Sequence, residues 1–293
     1  MRKVGALMSL MLVMAISAGF APKAQTGMII EVYPAHASFV TPRQLGNAIS
    51  SPLQAGRVGV KGRIVSGVVP HHLLAGGLTA RLLKQLSAQK PRTVIIIGPN
   101  HHNMGAKVIT GLYNWQTPDG MVMTQADVVK TLINKGLASR DEKVLSKEHS
   151  IGSLVPLIRH FLPQTTVVPI ILHQNVSLKE VDSLLRTLEP YLDKDAVLLA
   201  SVDFSHYLIR REAEIKDTAT LRYMRNHDYT TLFHLGNDYL DSPASLACAF
   251  RLAEKRGIND FQLLANTNSG IIMRNDSMET TSYFIMAFTK KQN

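Results

Sequence analysis

Residues 94–102 read VIIIGPNHH. Four consecutive β-branched residues leave no polar face, so the strand they predict is buried on both sides. Such strands belong to parallel sheets covered by helices on both faces. The run stops at Gly98-Pro99-Asn100 and delivers His101 and His102. The same rhythm recurs along the chain. RIVSGVVP (63–70), AKVITG (106–111), TTVVPIIL (165–172), AVLLASVDFS (196–205), FQLLANT (261–267) and TSYFIMAF (281–288) read as strands. Between them, residues 76–89, 125–136, 150–162, 178–192, 210–226 and 242–257 carry apolar residues at helical spacing. Alternating strands and helices predict one α/β domain over residues 25–293. Its central sheet is mostly parallel, with helices on both faces. Residues 25–62 read as irregular.

The chain has 293 residues, 45% hydrophobic and 18% charged, which suits a large folded core and excludes a disordered chain. Its net charge of +10 would suit nucleic acid or a membrane surface. However, the cations are scattered among KPR (90–92), LIRRE (208–212), RLAEKR (251–256) and the terminal KKQN. No basic helix face forms, so no nucleic-acid partner is expected. Cys248 is the single cysteine, which rules out an internal disulfide. It lies on the apolar side of a predicted helix and reads as a buried, inert thiol. The N-terminus places Arg2 and Lys3 before an apolar run from Val4 to Ala21. Residues 1–24 therefore read as a signal peptide or an uncleaved membrane anchor. Either way the remainder is expected to be exported, periplasmic or extracellular, touching a membrane only through that segment.

Three predicted strands end in residues that bind metals. Strand 63–70 leads into His71 and His72, strand 92–99 into His101 and His102, and strand 196–202 into Asp203 and His206. Parallel strands bring such endings to one edge, where open α/β sheets bind ligands. Neutral imidazoles suit Fe, Zn and Cu, and two histidines with a carboxylate form the facial triad of non-haem Fe(II) sites. Each residue also has a structural reading: Asp203 can cap a turn, and His149 can merely open a helix with Ser150 as its N-cap. His72 and His102 read as neighbours of the ligands, because adjacent side chains diverge. His36, His160, His173, His227 and His234 show no pattern and read as structural or exposed.

Taken in order, VVPHHLLAGG, IIIGPNHH, EHSIGSLVP and SVDFSHY resemble the Memo family, whose bacterial and archaeal members are called AmmeMemoRadiSam system protein B. The resemblance covers roughly residues 30–290. It implies a fold like that of the class III extradiol dioxygenases, whose non-haem iron is held by two histidines and a carboxylate. His71 and His101 match the first two metal ligands, Asp203 and His206 the polar pair of the pocket, and His149 the histidine lining the same site. Two departures stand out. Eukaryotic members place a cysteine ligand just before a proline-initiated helix, whereas Cys248 follows Pro243. Asp241 is the candidate replacement, with helix N-cap as its alternative role. Gly152 stands where the family often carries a glutamate.

The metal expected from this set is Fe(II), with Zn, Mn or Cu as alternatives. The resemblance implies a metal-dependent, dioxygenase-like oxidoreductase with His71, His101 and Asp241 as ligands. His206, oriented by Asp203, would then be the acid/base, and His149 would stabilise charge. The same residues would serve a zinc-dependent hydrolase, or a non-enzymatic module for a peptide or anion. The ligand class is thus a small molecule or a peptide. The family name implies a functional link to a radical-SAM protein, from which export would separate this chain.

Overall fold

A computed structural model describes residues 32–55 and 59–291. The expected targeting segment, residues 1–24, lies outside them. No helix among the described residues is long and apolar enough to cross a membrane.

The strands are β1 (Ala35–His36), β2 (Arg63–Val69), β3 (Thr93–Pro99), β4 (Val108–Thr110), β5 (Asn114–Thr117) and β6 (Gly120–Val122), then β7 (Ser139–Arg140), β8 (Thr166–Leu172), β9 (Ala196–Ser201), β10 (Phe204–Leu208), β11 (Gln262–Asn268) and β12 (Thr280–Lys290). Among the described residues, β1, β5 and β6 form a small sheet. The large sheet runs β10-β12-β2-β9-β3-β8-β4-β7, with β11 also paired to β12. Its centre, β2-β9-β3-β8, is parallel throughout. Both margins turn antiparallel, at β12 against β2 and at β4 against β8.

Side chains of the central strands alternate between two hydrophobic clusters. Ile95 and Ile97 of β3 join one, packed under helices Ala126–Asn134, Leu178–Leu188 and Pro243–Lys255. Val94 and Ile96 join the other, under Gly76–Leu86 and Val155–Phe161. Each such side chain, fully removed from water, contributes roughly 1.5–3 kcal/mol. This two-sided burial is why the strands read as unbroken apolar runs. Helix Leu178–Leu188 starts at a reciprocal capping box between Ser177 and Glu180.

Three expectations are corrected. The run 196–205 is not one strand: β9 ends at Ser201, and β10 leaves to pair with β12. The stretch 150–162 is two helices, His149–Gly152 and Val155–Phe161. Residues 25–62 contain helix Pro42–Ile49, held by a Thr41–Gln44 capping box.

Candidate metal centre

The parallel strands deliver their endings to one edge, as the topology requires. His71 follows β2 and His101 follows β3, while His149 opens the short helix packed against β3. A ring nitrogen from each of these three histidines lies within 4.8 Å of the other two. Gly98 permits the approach of the short helix, because a Cβ there would sit 2.6 Å from Ser150 Oγ. Ser150 Oγ in turn donates to the Pro99 carbonyl at 2.9 Å.

Hydrogen bonds at the back of each ring set its tautomer. Ser201 donates its proton to the Ser150 carbonyl at 2.6 Å, so its oxygen must accept from His71 Nδ1–H at 3.0 Å. His71 Nε2 therefore presents a lone pair. His101 Nδ1 donates to Glu148 Oε1 at 2.7 Å, which frees its Nε2 in the same way. Glu148 also accepts from the backbone N–H of His101 at 2.9 Å and of Ser150 at 2.9 Å. Glu148, not Ser150, is thus the N-cap of the short helix. Burial pushes its carboxyl pKa up, but these bonds outweigh burial and hold it below the usual range.

The two aspartates arrive from different segments and are laced together. Asp241 N donates to the Asp203 carbonyl, and Asp203 N donates to Asp241 Oδ2, each at 3.1 Å. Ser205 N and His206 N extend this ladder to the carbonyls of Tyr239 and Asn237. Ser242, not Asp241, caps the helix Pro243–Lys255, accepting from Ser245 N. The Asp241 carboxylate is thereby left for the pocket. Its Oδ2 lies 3.3 Å from His71 Nε2 and 3.8 Å from His101 Nε2. Its Oδ1 is buried and has no hydrogen-bond partner among the described residues. Burial, reinforced by the Asp203 charge, pushes the Asp241 pKa well above the carboxylate range. Burial raises Asp203 to about 7, against the opposing N–H bonds of His71 and His72. His71 moves the other way, well below its ordinary value, through burial and the neighbouring histidines. His149 falls to about 4, from burial and then the His101 charge. Its ring stacks on His101 at 4.1 Å between centroids, and its side chain is 46% exposed.

Two imidazole lone pairs, a third imidazole and a buried carboxylate oxygen without a donor meet in one place. That donor set fits a cation, since buried acceptors facing one another without a proton or metal repel. The bonds to Ser201 and Glu148 are of the kind that orient histidines toward a metal.

The expected partnership of Asp203 with His206 is not what the structure has. Asp203 Oδ1 accepts from His71 N at 3.1 Å, and its Oδ2 lies 3.6 Å from His71 Nε2. His206 is held instead by the Asn237 carbonyl, 3.0 Å from Nδ1. Ser205 and Tyr207, on either side of it, have φ of 28° and 61°. These values are costly for residues other than glycine and bend β10 around His206. Ser205 Oγ anchors that bend on the buried Asp217 carboxylate at 2.7 Å. Burial lowers the His206 pKa.

Of the remaining histidines, His102 is exposed, while His72 caps a short 3-10 turn and stacks on Tyr283. His36 is buried against Trp115 and bonded to Glu142 at 3.1 Å. Cys248 is fully buried, and burial pushes its thiol pKa up. Gly152 has a steric reason: a Cβ there would meet the Phe39 ring at 2.2 Å, so no glutamate fits without displacing Phe39. Sequence reasoning missed Glu148, Ser201 and Asn237. Glu148 stood within the quoted EHSI motif, whereas Ser201 and Asn237 carried no local signal.

Residues 33–286 match the family model described as Memo-like protein. The chain is 32% identical to a MEMO1 family protein of Metallosphaera sedula over 180 residues, covering 59% of this chain and 64% of that protein, just under two thirds of its length. It is 30% identical to a MEMO1 family protein of Pyrobaculum arsenaticum over 231 residues, covering 74% of this chain and 80% of that one. The crystal structure of the uncharacterized protein JW3007 from Escherichia coli superposes with a TM-score of 0.49 at 13% identity, covering 75% of this chain and 98% of that one.

Proposed function

The chain belongs to the Memo family, and from that premise we propose that it is an Fe(II)-dependent oxidoreductase of a small molecule, with His71, His101 and Asp241 as metal ligands and His149 beside them. The observation that carries the ligand set is the Asp241 carboxylate. It is buried, released from helix capping by Ser242, and has an unpartnered oxygen next to the imidazole lone pairs. Two histidines and a carboxylate suit Fe(II) better than a thiolate set would. The metal would supply Lewis acidity and redox chemistry at its open positions.

The chain's own residues would do the rest. The Asn237 carbonyl fixes Nδ1–H of His206, leaving Nε2 to take a proton from a substrate hydroxyl. Burial lowers the His206 pKa, so the ring is neutral and able to act as a base near pH 7. Asp203 serves as a positioning residue, fixing the His71 backbone. His149, half exposed beside His101, would meet charge on the substrate.

The test is metal quantification on anaerobically purified protein, wild type beside Asp241→Ala. About one Fe per wild-type chain is expected for one such site, with a clear loss in the variant. A folded, metal-free wild type would overturn the proposal. Zinc with oxygen-independent turnover would point to hydrolysis on the same residues. Export through residues 1–24 is part of the same reading, and fractionation that leaves the protein in the cytoplasm would overturn it.

A further inference from the structure

The parallel strands have a second edge, where they begin. Along β2 the two edges are about 20 Å apart, at roughly 3.3 Å per residue. At the starting edge a cavity of about 200 Å³ lies between the sheet and the helix Pro243–Lys255. Four cations from four segments line it: Arg63 at the start of β2, Lys194 before β9, Arg256 at the helix C-cap and Lys290 at the end of β12. Val65 and Leu252 contribute an apolar floor.

Two observations set this apart from ordinary surface charge. First, Arg63 and Lys290 are direct partners in the antiparallel β2–β12 register. Their side chains share a face, and like charges directly opposite each other destabilise a sheet. Second, among the described residues neither side chain, nor that of Lys194, makes an ion pair or hydrogen bond. Only Arg256 is committed, to Glu189 at 2.9 Å and the Leu192 carbonyl at 2.8 Å. Asp193 also lines the cavity but is turned toward Arg92, 3.4 Å away. The negative end of the helix opposes an anion here. That effect is confined to its last turn and is outweighed by the net positive lining.

We propose that this cavity is a binding site for a phosphoryl group, carried either by a small soluble phosphate or by an anionic lipid headgroup. A doubly charged, multi-acceptor group is what resolves a pair of facing cations, and the apolar floor accommodates the carbon attached to it. The site is separate from the histidine edge and does not depend on the metal reading.

Inorganic phosphate titrated calorimetrically into the full chain at constant ionic strength, with chloride as the balancing salt, tests it. The wild type binds one phosphate per chain. Arg63→Gln/Lys290→Gln weakens binding by about tenfold or more, as expected for two lost charge-assisted contacts. Lys194→Gln, a change at an exposed loop position, weakens it alone. Lys135→Gln, an exposed cation outside the cavity, leaves it unchanged. Flotation with phosphatidylcholine vesicles, with and without phosphatidic acid, assigns the source. Acid-dependent capture that the double variant loses identifies a headgroup, whereas phosphate binding without it identifies a soluble ligand. No saturable phosphate binding, or equal losses in the Lys135 variant and the double variant, overturns the proposal.

Discussion

The two edges of the same parallel strands are built in opposite ways. At the histidine edge nearly every functional side chain is fixed from behind: His71 by Ser201, His101 by Glu148, His206 by Asn237 and Asp241 by the Asp203 backbone. At the starting edge Arg63, Lys194 and Lys290 are long, partly or fully exposed and, among the described residues, unpartnered. The first arrangement is preorganised, which a metal or a proton transfer demands within fractions of an ångström. The second is adaptable, which suffices for holding a charged group. Perturbations should therefore be severe and long-ranged at one edge, and mild and local at the other.

The largest effect is expected from Glu148→Gln. It keeps the shape but removes the ionised acceptor of His101 Nδ1–H and weakens the cap at Ser150 N. Metal affinity should fall by roughly 10- to 100-fold, read by competition with a chelator. An unchanged affinity would break the contrast between the edges. Asp241→Asn comes next. Burial and Asp203 raise the Asp241 pKa, so protons compete with a metal here more strongly than at an ordinary carboxylate. Metal affinity of the wild type should therefore fall more steeply on acidification than that of the variant, read by metal titration across pH. Ser201→Ala removes the partner of His71 Nδ1 and the donor to the Ser150 carbonyl, and should lower stability by about 1–3 kcal/mol, with a smaller loss of affinity than Glu148→Gln.

The pH response is subtler. The folded protein holds the His149 pKa near 4, below its unfolded value, so the unfolded chain binds more protons between about pH 4 and 6.5. Stability of the metal-free protein should accordingly rise with pH through that window and decline on acidification. The ring is half exposed, so the effect is well below that of a buried group, and His149→Gln should flatten the slope in thermal melts. The smallest effect sharpens the comparison from the other side. Arg63→Gln should leave metal content unchanged and stability the same or slightly higher, because it relieves the facing Lys290.

Much of this was legible beforehand, for definable reasons. Strands buried on both faces announce themselves as β-branched runs, and the strand in VIIIGPNHH was legible as one; beyond it the structure puts His101, and not His102, in the histidine cluster. The end of the strand in 196–205 was not legible, because the break after Ser201 depends on β10 finding β12, nearly eighty positions on. His71, His101, His149 and Asp241 were singled out, and the fold does bring them together. The pairing of Asp203 with His206 was implied by the family resemblance, and the structure does not have it: Asp203 accepts from the His71 backbone, and the left-handed turns around His206 aim its ring at Asn237.

By itself the sequence determined the α/β class, the strand endings that carry imidazoles, and the family. All three follow from local periodicity and short motifs. Only the tertiary structure decided that Ser242 takes the cap and leaves Asp241 bare, that Glu148 holds His101, and that Arg63 faces Lys290. Those pairings join residues 47 to more than 200 positions apart or turn on competition between neighbours for one hydrogen bond, and neither leaves a periodic trace in the chain.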